Sequence, residues 1–292
     1  MKILLALDES SYSEYAADVV LAREWPAQST FKVVSVVEDS DSLQSATATE
    51  ILLRKTALKL KEKFPAASIT EDVLYGDCKN VLLECAALWR PDLIAVGTHG
   101  RRGLTRILLG SVSQAVLLYA EASVLIARLP KAKNRTPDLR HPPKRVLVPI
   151  DPSEHSTRVL DWILALEWPD GCHFKILTVL PPMVNVYSDG LDMLQGESQS
   201  LVRVRAKSAG KDLLEESQAK LSDKFRTAHV DTALLEGDAG DTILSVANSW
   251  PADLIVMGSR GHGTFKKLWL GSVSQEVVLQ APCPVEVVKR QS

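Results

Sequence analysis

The chain has 292 residues, 46% of them hydrophobic and 24% charged, with a formal net charge of −2. That balance disfavours nucleic acid or an acidic membrane surface as the main partner, and no apolar run reaches the length a bilayer requires. The length suggests about two domains.

In chain order, "KILLALD" (Lys2 to Asp8) is a short apolar run with a polar end, the pattern of a buried strand. Asp8 cuts the run too short for a signal peptide or a spanning helix, so the expected location is the cytoplasm. Ser10–Arg23 has helical character, with Ser10 or Ser11 available as N-cap. Phe31–Val37 is a β-branched strand. A helix is expected from about Ser45 to Phe64, because Leu53, Ala57, Leu60 and Phe64 form one apolar stripe. Ile69–Tyr75 alternates, which suits an edge strand. Lys79–Trp89 is a helix stopped before Pro91. Asp92–Gly97 is a continuous apolar strand, Ser111–Tyr119 a helix, and Val124–Leu129 a last strand.

The pattern then repeats. "KILLALDESSYS" (from Lys2) matches "RVLVPIDPSEHS" (from Arg145), and Glu24-Trp25-Pro26 matches Glu167-Trp168-Pro169, both at an offset of 143. Gly76 matches Gly237 and Gly97 matches Gly258, at an offset of 161. The step from 143 to 161 puts 18 extra residues in the second copy, around Pro181–Ser200. They follow its second strand, on the crevice side, and read either as a lid over that crevice or as a loop. The second set of strands is Arg145–Asp151, Phe174–Leu180, Asp231–Leu235, Leu254–Met257 and Val285–Val288. Strands alternating with helical crossovers imply parallel sheets in doubly wound α/β domains. The expected organisation is a first domain at 1–129, a Pro-rich and basic linker at 130–143, and a second domain at 144–292 with an insertion near 181–200.

Ligands of open α/β sheets bind beyond the carboxyl ends of strands, where strand order reverses. Asp8, Val36 and Gly97 fall at such ends in the first copy, and Asp151, Val179 and Gly258 in the second. Gly97 and Gly100 permit positive φ or close approach of a ligand to the backbone. Gly110-Ser111 begins the next helix, whose first N–H groups favour negative charge. A glycine loop and a helix N-terminus bracketing one crevice suit a phosphate chain. Gly258, Gly261, Gly271 and Ser272 repeat the frame. The Walker lysine motif and a GxGxxG after the first strand are both absent. Cys78, Cys85, Cys172 and Cys283 form no CxxC pair and read as reduced thiols, and no metal ligand set is evident. Arg260 of the second copy holds the place of His99 in the first, so the frame holds no shared catalytic base and no catalytic residue is assigned. Trp25 and Trp168 read as packing residues at a helix end.

Gly-x-x-Gly-x9-Gly-Ser after a fourth strand, with Asp at the end of a first, resembles the universal stress proteins over nearly the whole chain, as two tandem domains. The resemblance implies five-stranded parallel sheets in the order 3-2-1-4-5, flanked by helices. It implies ATP, or AMP or ADP, in each crevice, with Mg2+ on the phosphates as an option. Gly97, Gly100, Gly110, Ser111 and Val112, and Gly258, Gly261, Gly271, Ser272 and Val273, would hold phosphates and ribose, with Ser113 and Ser274 in reach. Asp8 and Asp151 would face adenine, helped by the backbone of Val36 and Val179. It also implies pairing through the last strands, Val124–Leu129 against Val285–Val288 within one chain, with a homodimer as a further option. The leading expectation is a stress-response or regulatory protein that binds adenine nucleotide with little or no turnover. The rivals are a weak ATPase or autophosphorylating enzyme, and an interaction scaffold with vestigial sites.

Overall fold

Apolar runs of five residues, too short for a stable helix, become the inner strands. The computed structural model describes residues 1–38, 43–98, 109–129, 141–182, 192–260 and 270–289. In the first half these form β1 (Lys2–Ala6), α1 (Ser11–Ala22), β2 (Thr30–Val37), α2 (Leu43–Lys63), β3 (Ser68–Tyr75), α3 (Cys78–Trp89), β4 (Leu93–Gly97), α4 (Ser111–Tyr119) and β5 (Ser123–Ala127). The second half continues as β6 (Arg145–Pro149), α5 (Glu154–Ala165), β7 (His173–Leu180), α6 (Asp192–Lys224), β8 (His229–Glu236), α7 (Ala239–Ser249), β9 (Leu254–Gly258), α8 (Ser272–Gln280) and β10 (Val285–Val288).

The strands run in the order β3-β2-β1-β4-β5-β10-β9-β6-β7-β8, so each half has the order 3-2-1-4-5. All neighbours are parallel except β5 and β10, which pair antiparallel with Val285 opposite Ile126 and Val287 opposite Val124. That one join makes a continuous ten-stranded sheet. One apolar layer lies on each face, gathered around Phe31 and Phe174 on one side and around Leu117 and Val277 on the other. The alternating β3 takes the outer edge, as its half-exposed pattern requires.

Local chemistry fixes the helix ends. Ser10 caps α1 by accepting from Ser13 N, Asp77 caps α3 and Asp238 caps α7 in the same way. Pro91 lies just beyond the left-handed C-cap Arg90 of α3. Of the expected stripe on α2, Leu53 and Leu60 are buried while Ala57 and Phe64 are half-buried.

Three expectations shift. β1 and β6 stop at Ala6 and Pro149, two residues short of the aspartates. Beyond Leu7 and Ile150, which still donate to Val34 and Leu177, the backbone turns into the helix start. β5 stops at Ala127, because β10 begins opposite Ile126 and offers no partner farther on. Within the expected insertion, Asp192–Ser200 belong to α6, which has 33 residues against 21 in α2, so part of the extra chain lengthens a helix. Residues 183–191, where a lid or loop was expected, and 130–140 of the expected linker lie outside the described residues.

Candidate functional site

In each half the strand order reverses beside the first strand, between β1 and β4 and between β6 and β9. Parallel strands leave their carboxyl ends open there, and the residues just beyond those ends build the crevice. Asp8 comes first. Its Oδ1 accepts from Ser10 N at 3.0 Å, Ser10 Oγ at 2.5 Å and Ser13 Oγ at 2.7 Å. Asp151 does the same, accepting from Ser153 Oγ at 2.5 Å and Ser156 Oγ at 2.9 Å. Each half-buried carboxylate therefore sits at the positive end of the adjoining helix and holds that helix to the strand.

The next wall is the helix N-terminus. Gly110 N donates to Thr98 O at 2.7 Å, and Gly271 N to Ser259 O at 2.8 Å. The buried hydroxyl of Ser113 donates to Gly97 O at 2.6 Å, and that of Ser274 to Gly258 O at 2.8 Å. These bonds pin the first turns of α4 and α8 against the ends of β4 and β9. The N-caps Gly110 and Gly271 bring no side-chain oxygen to the first-turn N–H groups. In both copies the first three helical residues run exposed, half-buried, buried: Ser111, Val112, Ser113 and Ser272, Val273, Ser274. Val36 and Val179 are the next-to-last residues of β2 and β7 and pair with Leu74 and Leu235. Gly100 and Gly261 lie outside the described residues.

Gly97 has a packing reason that its sequence neighbourhood hides. Among the described residues the positive-φ glycines are Gly76, Gly171 and Gly237, and neither Gly97 nor Gly258 is one of them. Instead, a Cβ on Gly97 would stand 2.7 Å from the Tyr12 backbone, so α1 crosses β4 in van der Waals contact. At Gly258 the nearest atoms would be His155 Cβ and Arg260 O, both at 3.2 Å. Tyr12 and His155 are counterparts at the offset of 143, and that alignment alone would have brought them to the site. His155 is held below its ordinary value by burial and by the charges of Arg158 and Arg260.

Other polar groups lie apart from this frame. Trp25 and Trp168 donate to Val20 O and Ile163 O and pack edge-on against Phe31 and Phe174, as their packing role requires. Burial pushes the Cys172 thiol up to about 12, well away from a reactive thiolate. Carboxylate oxygens of Asp238, Asp241 and Glu276 lie within 4.8 Å of one another, but Asp238 is occupied in capping α7. An open groove of 860 Å3 along α2 and β3, lined by Arg54, Leu58 and Glu71, shares no residue with either crevice.

Fold and site together define a class: tandem doubly wound α/β halves, each with a strand-end aspartate, a strand-end glycine and a glycine-capped helix at its crevice. The universal stress protein family matches at residues 1–128 and again at 142–289. The chain belongs to that family. A universal stress protein of Thermus aquaticus is 52% identical over 59 residues, 20% of this chain and 43% of that protein, so less than half of that relative's length is spanned. Universal stress protein YxiE of Bacillus subtilis is 31% identical over 147 residues, 50% of this chain and 98% of that one. A solved universal stress protein from Archaeoglobus fulgidus, 23% identical, covers 99% of this chain and 98% of its own with a TM-score of 0.63, a likeness of fold over both halves. No described helix is long and apolar enough to cross a membrane.

Proposed function

We propose that this chain is a cytoplasmic stress-response protein that binds ATP or another adenine nucleotide in one or both crevices, with little or no turnover. The observation that carries the reading is the glycine-capped helix start pinned to a strand-end glycine, built twice with the same hydrogen bonds. Backbone N–H groups at such a start, with no side chain to occupy them, suit phosphate. In this reading Gly97, Gly100, Gly110, Ser111, Val112 and Ser113 hold the phosphates and ribose of one nucleotide. Gly258, Gly261, Gly271, Ser272, Val273 and Ser274 hold those of the other, with Mg2+ on the phosphates where present. Asp8 and Asp151, beside the backbone of Val36 and Val179, face the base. A shared side-chain base is not part of the reading, because Tyr12 stands beside one strand-end glycine and His155 beside the other. The working unit is the pair of halves joined through β5 and β10, and domain limits at 1–129 and 144–292 fit that unit.

The test adds a carboxylate where the phosphate would lie. Gly110 and Gly271 have φ of −61° and −74°, open to any residue, and aspartate is a favoured N-cap. ATP at 100-fold above its Kd should stabilise the native chain by about 2.7 kcal/mol. In Gly110→Asp/Gly271→Asp that thermal shift should vanish while the ligand-free midpoint stays level or rises. A wild-type chain whose midpoint ATP, ADP and AMP all leave unchanged would falsify nucleotide binding and favour a scaffold.

A further inference from the structure

The join between the halves is pseudo-symmetric, yet one pair of positions breaks the symmetry. Glu286 on β10 is 0% exposed and forms an ion pair with Arg23, 3% exposed, at the C-cap of α1 in the other half. Trp162 Nε1 also donates to the Glu286 carboxylate. The Arg23 guanidinium lies 4.6 Å from the Trp25 ring and 5.5 Å from the Trp168 ring, one tryptophan from each half. The counterpart of Arg23 at the offset of 143 is Leu166, and that of Glu286 at the offset of 161 is Leu125. Leu125 and Leu166 are both buried, in one apolar cluster, and Leu125 is the cross-strand neighbour of Glu286. The pseudo-twofold join thus carries a charge pair on one side and two leucines on the other.

We propose that Arg23 and Glu286 select the partner at this join: each half accepts the unlike half and rejects a second copy of itself. Two first halves meeting through β5 would set Arg23 against Leu125 on both sides, burying two guanidinium groups without a carboxylate. Two second halves meeting through β10 would set Glu286 against Leu166 twice. A buried charge that loses its partner is strongly destabilising, because the desolvation is no longer offset. Only the unlike pair satisfies every position, so the ten-stranded sheet closes within one chain and not through like halves. This inference rests on the join alone and is independent of nucleotide.

The full chain can be made to choose the other way. Leu125→Glu/Glu286→Leu moves the carboxylate into the half that already holds Arg23. Like halves then carry a carboxylate opposite each Arg23, while the unlike pair keeps one only at the cross-strand neighbour of its former place. The expected result is a concentration-dependent species of about twice the wild-type mass in light scattering, since like halves can meet only between chains. A folded variant that keeps the wild-type mass at every concentration overturns the proposal. Should that variant not fold, a double-mutant cycle decides. Arg23→Leu and Glu286→Leu singly should each lower the thermal midpoint by roughly 10 °C, and the double variant should recover at least about half of the summed loss. Losses that simply add would overturn it.

Discussion

The two halves agree where the backbone is held and differ where they meet. Both aspartates hold paired serines, both Ser113 and Ser274 bond to a strand-end carbonyl, and both glycine caps donate to the residue after that strand. Beside the strand-end glycine, by contrast, the first half has Tyr12 where the second has His155, and at the join the first has Arg23 and Leu125 where the second has Leu166 and Glu286. Even a shared device is tuned differently. Arg128, just after β5, donates to Val278 O of α8, while Lys289, just after β10, donates to Val116 O and Ala120 O of α4. Each cation caps the negative end of a helix in the other half. The backbone at the strand ends is therefore nearly the same in both halves, while the side chains at the join differ.

The largest expected effect sets the two strand-end glycines apart. Gly97→Ala drives a methyl into the Tyr12 backbone and should cost about 3 kcal/mol or more, whereas Gly258→Ala meets atoms at 3.2 Å and should cost about 1 kcal/mol. Equal losses in denaturant midpoints would mean that the helix crossing is the same in both halves.

Next comes the pair of helix-capping cations. Burial and the Arg260 charge pull Lys289 down to about 8 from its ordinary 10.5. The folded chain then gives up this proton first. Between those two values the unfolded chain binds more protons, so Lys289 makes stability rise with pH, by about 3 kcal/mol in total. Lys289→Met should remove that rise from the difference between thermal midpoints measured from pH 7 to 10.5, while Arg128→Met should leave it in place.

Smaller effects probe the conserved frame. Ser113→Ala and Ser274→Ala each delete one buried hydrogen bond and should cost about 1 kcal/mol apiece, equally in the two halves. Clearly unequal midpoints would show that only one helix start is pinned. Last, His155 is held below 6.5, so as pH falls through that value the unfolded chain takes the proton first and stability declines. His155→Tyr, which gives the second crevice the first one's residue, should flatten that decline in an acid titration of the thermal midpoint.

The sequence carried the architecture because its strongest signals are local or repeated. Five-residue apolar runs such as Leu93–Gly97 can be read without knowing their neighbours, and the offsets of 143 and 161 align the second copy with the first. The places of Asp8, Gly97 and Gly110, and of their counterparts, near the reversal of strand order were legible for the same reason. The hidden features depend on contacts distant in sequence. Arg23 and Glu286 are 263 residues apart and meet only once β5 and β10 pair. The packing duty of Gly97 was hidden too, because nothing in its own neighbourhood reveals that α1 crosses there. The longer α6 was hidden by Gly196 and Gly210, which weaken a helical signal.

The antiparallel join has a protective consequence as well. Drawing the halves apart would bare the backbone edges of "SVLIA" in β5 and "VEVV" in β10, which are buried along their whole length. Such edges are templates for aggregation, with apolar side chains and a row of unsatisfied amides. The outer strands β3 and β8, which carry Glu71, Asp72, Asp231 and Glu236, are far poorer templates. The fold therefore hides its stickiest edges against each other and turns its charged ones outward, so a nick between the halves should leave them clasped.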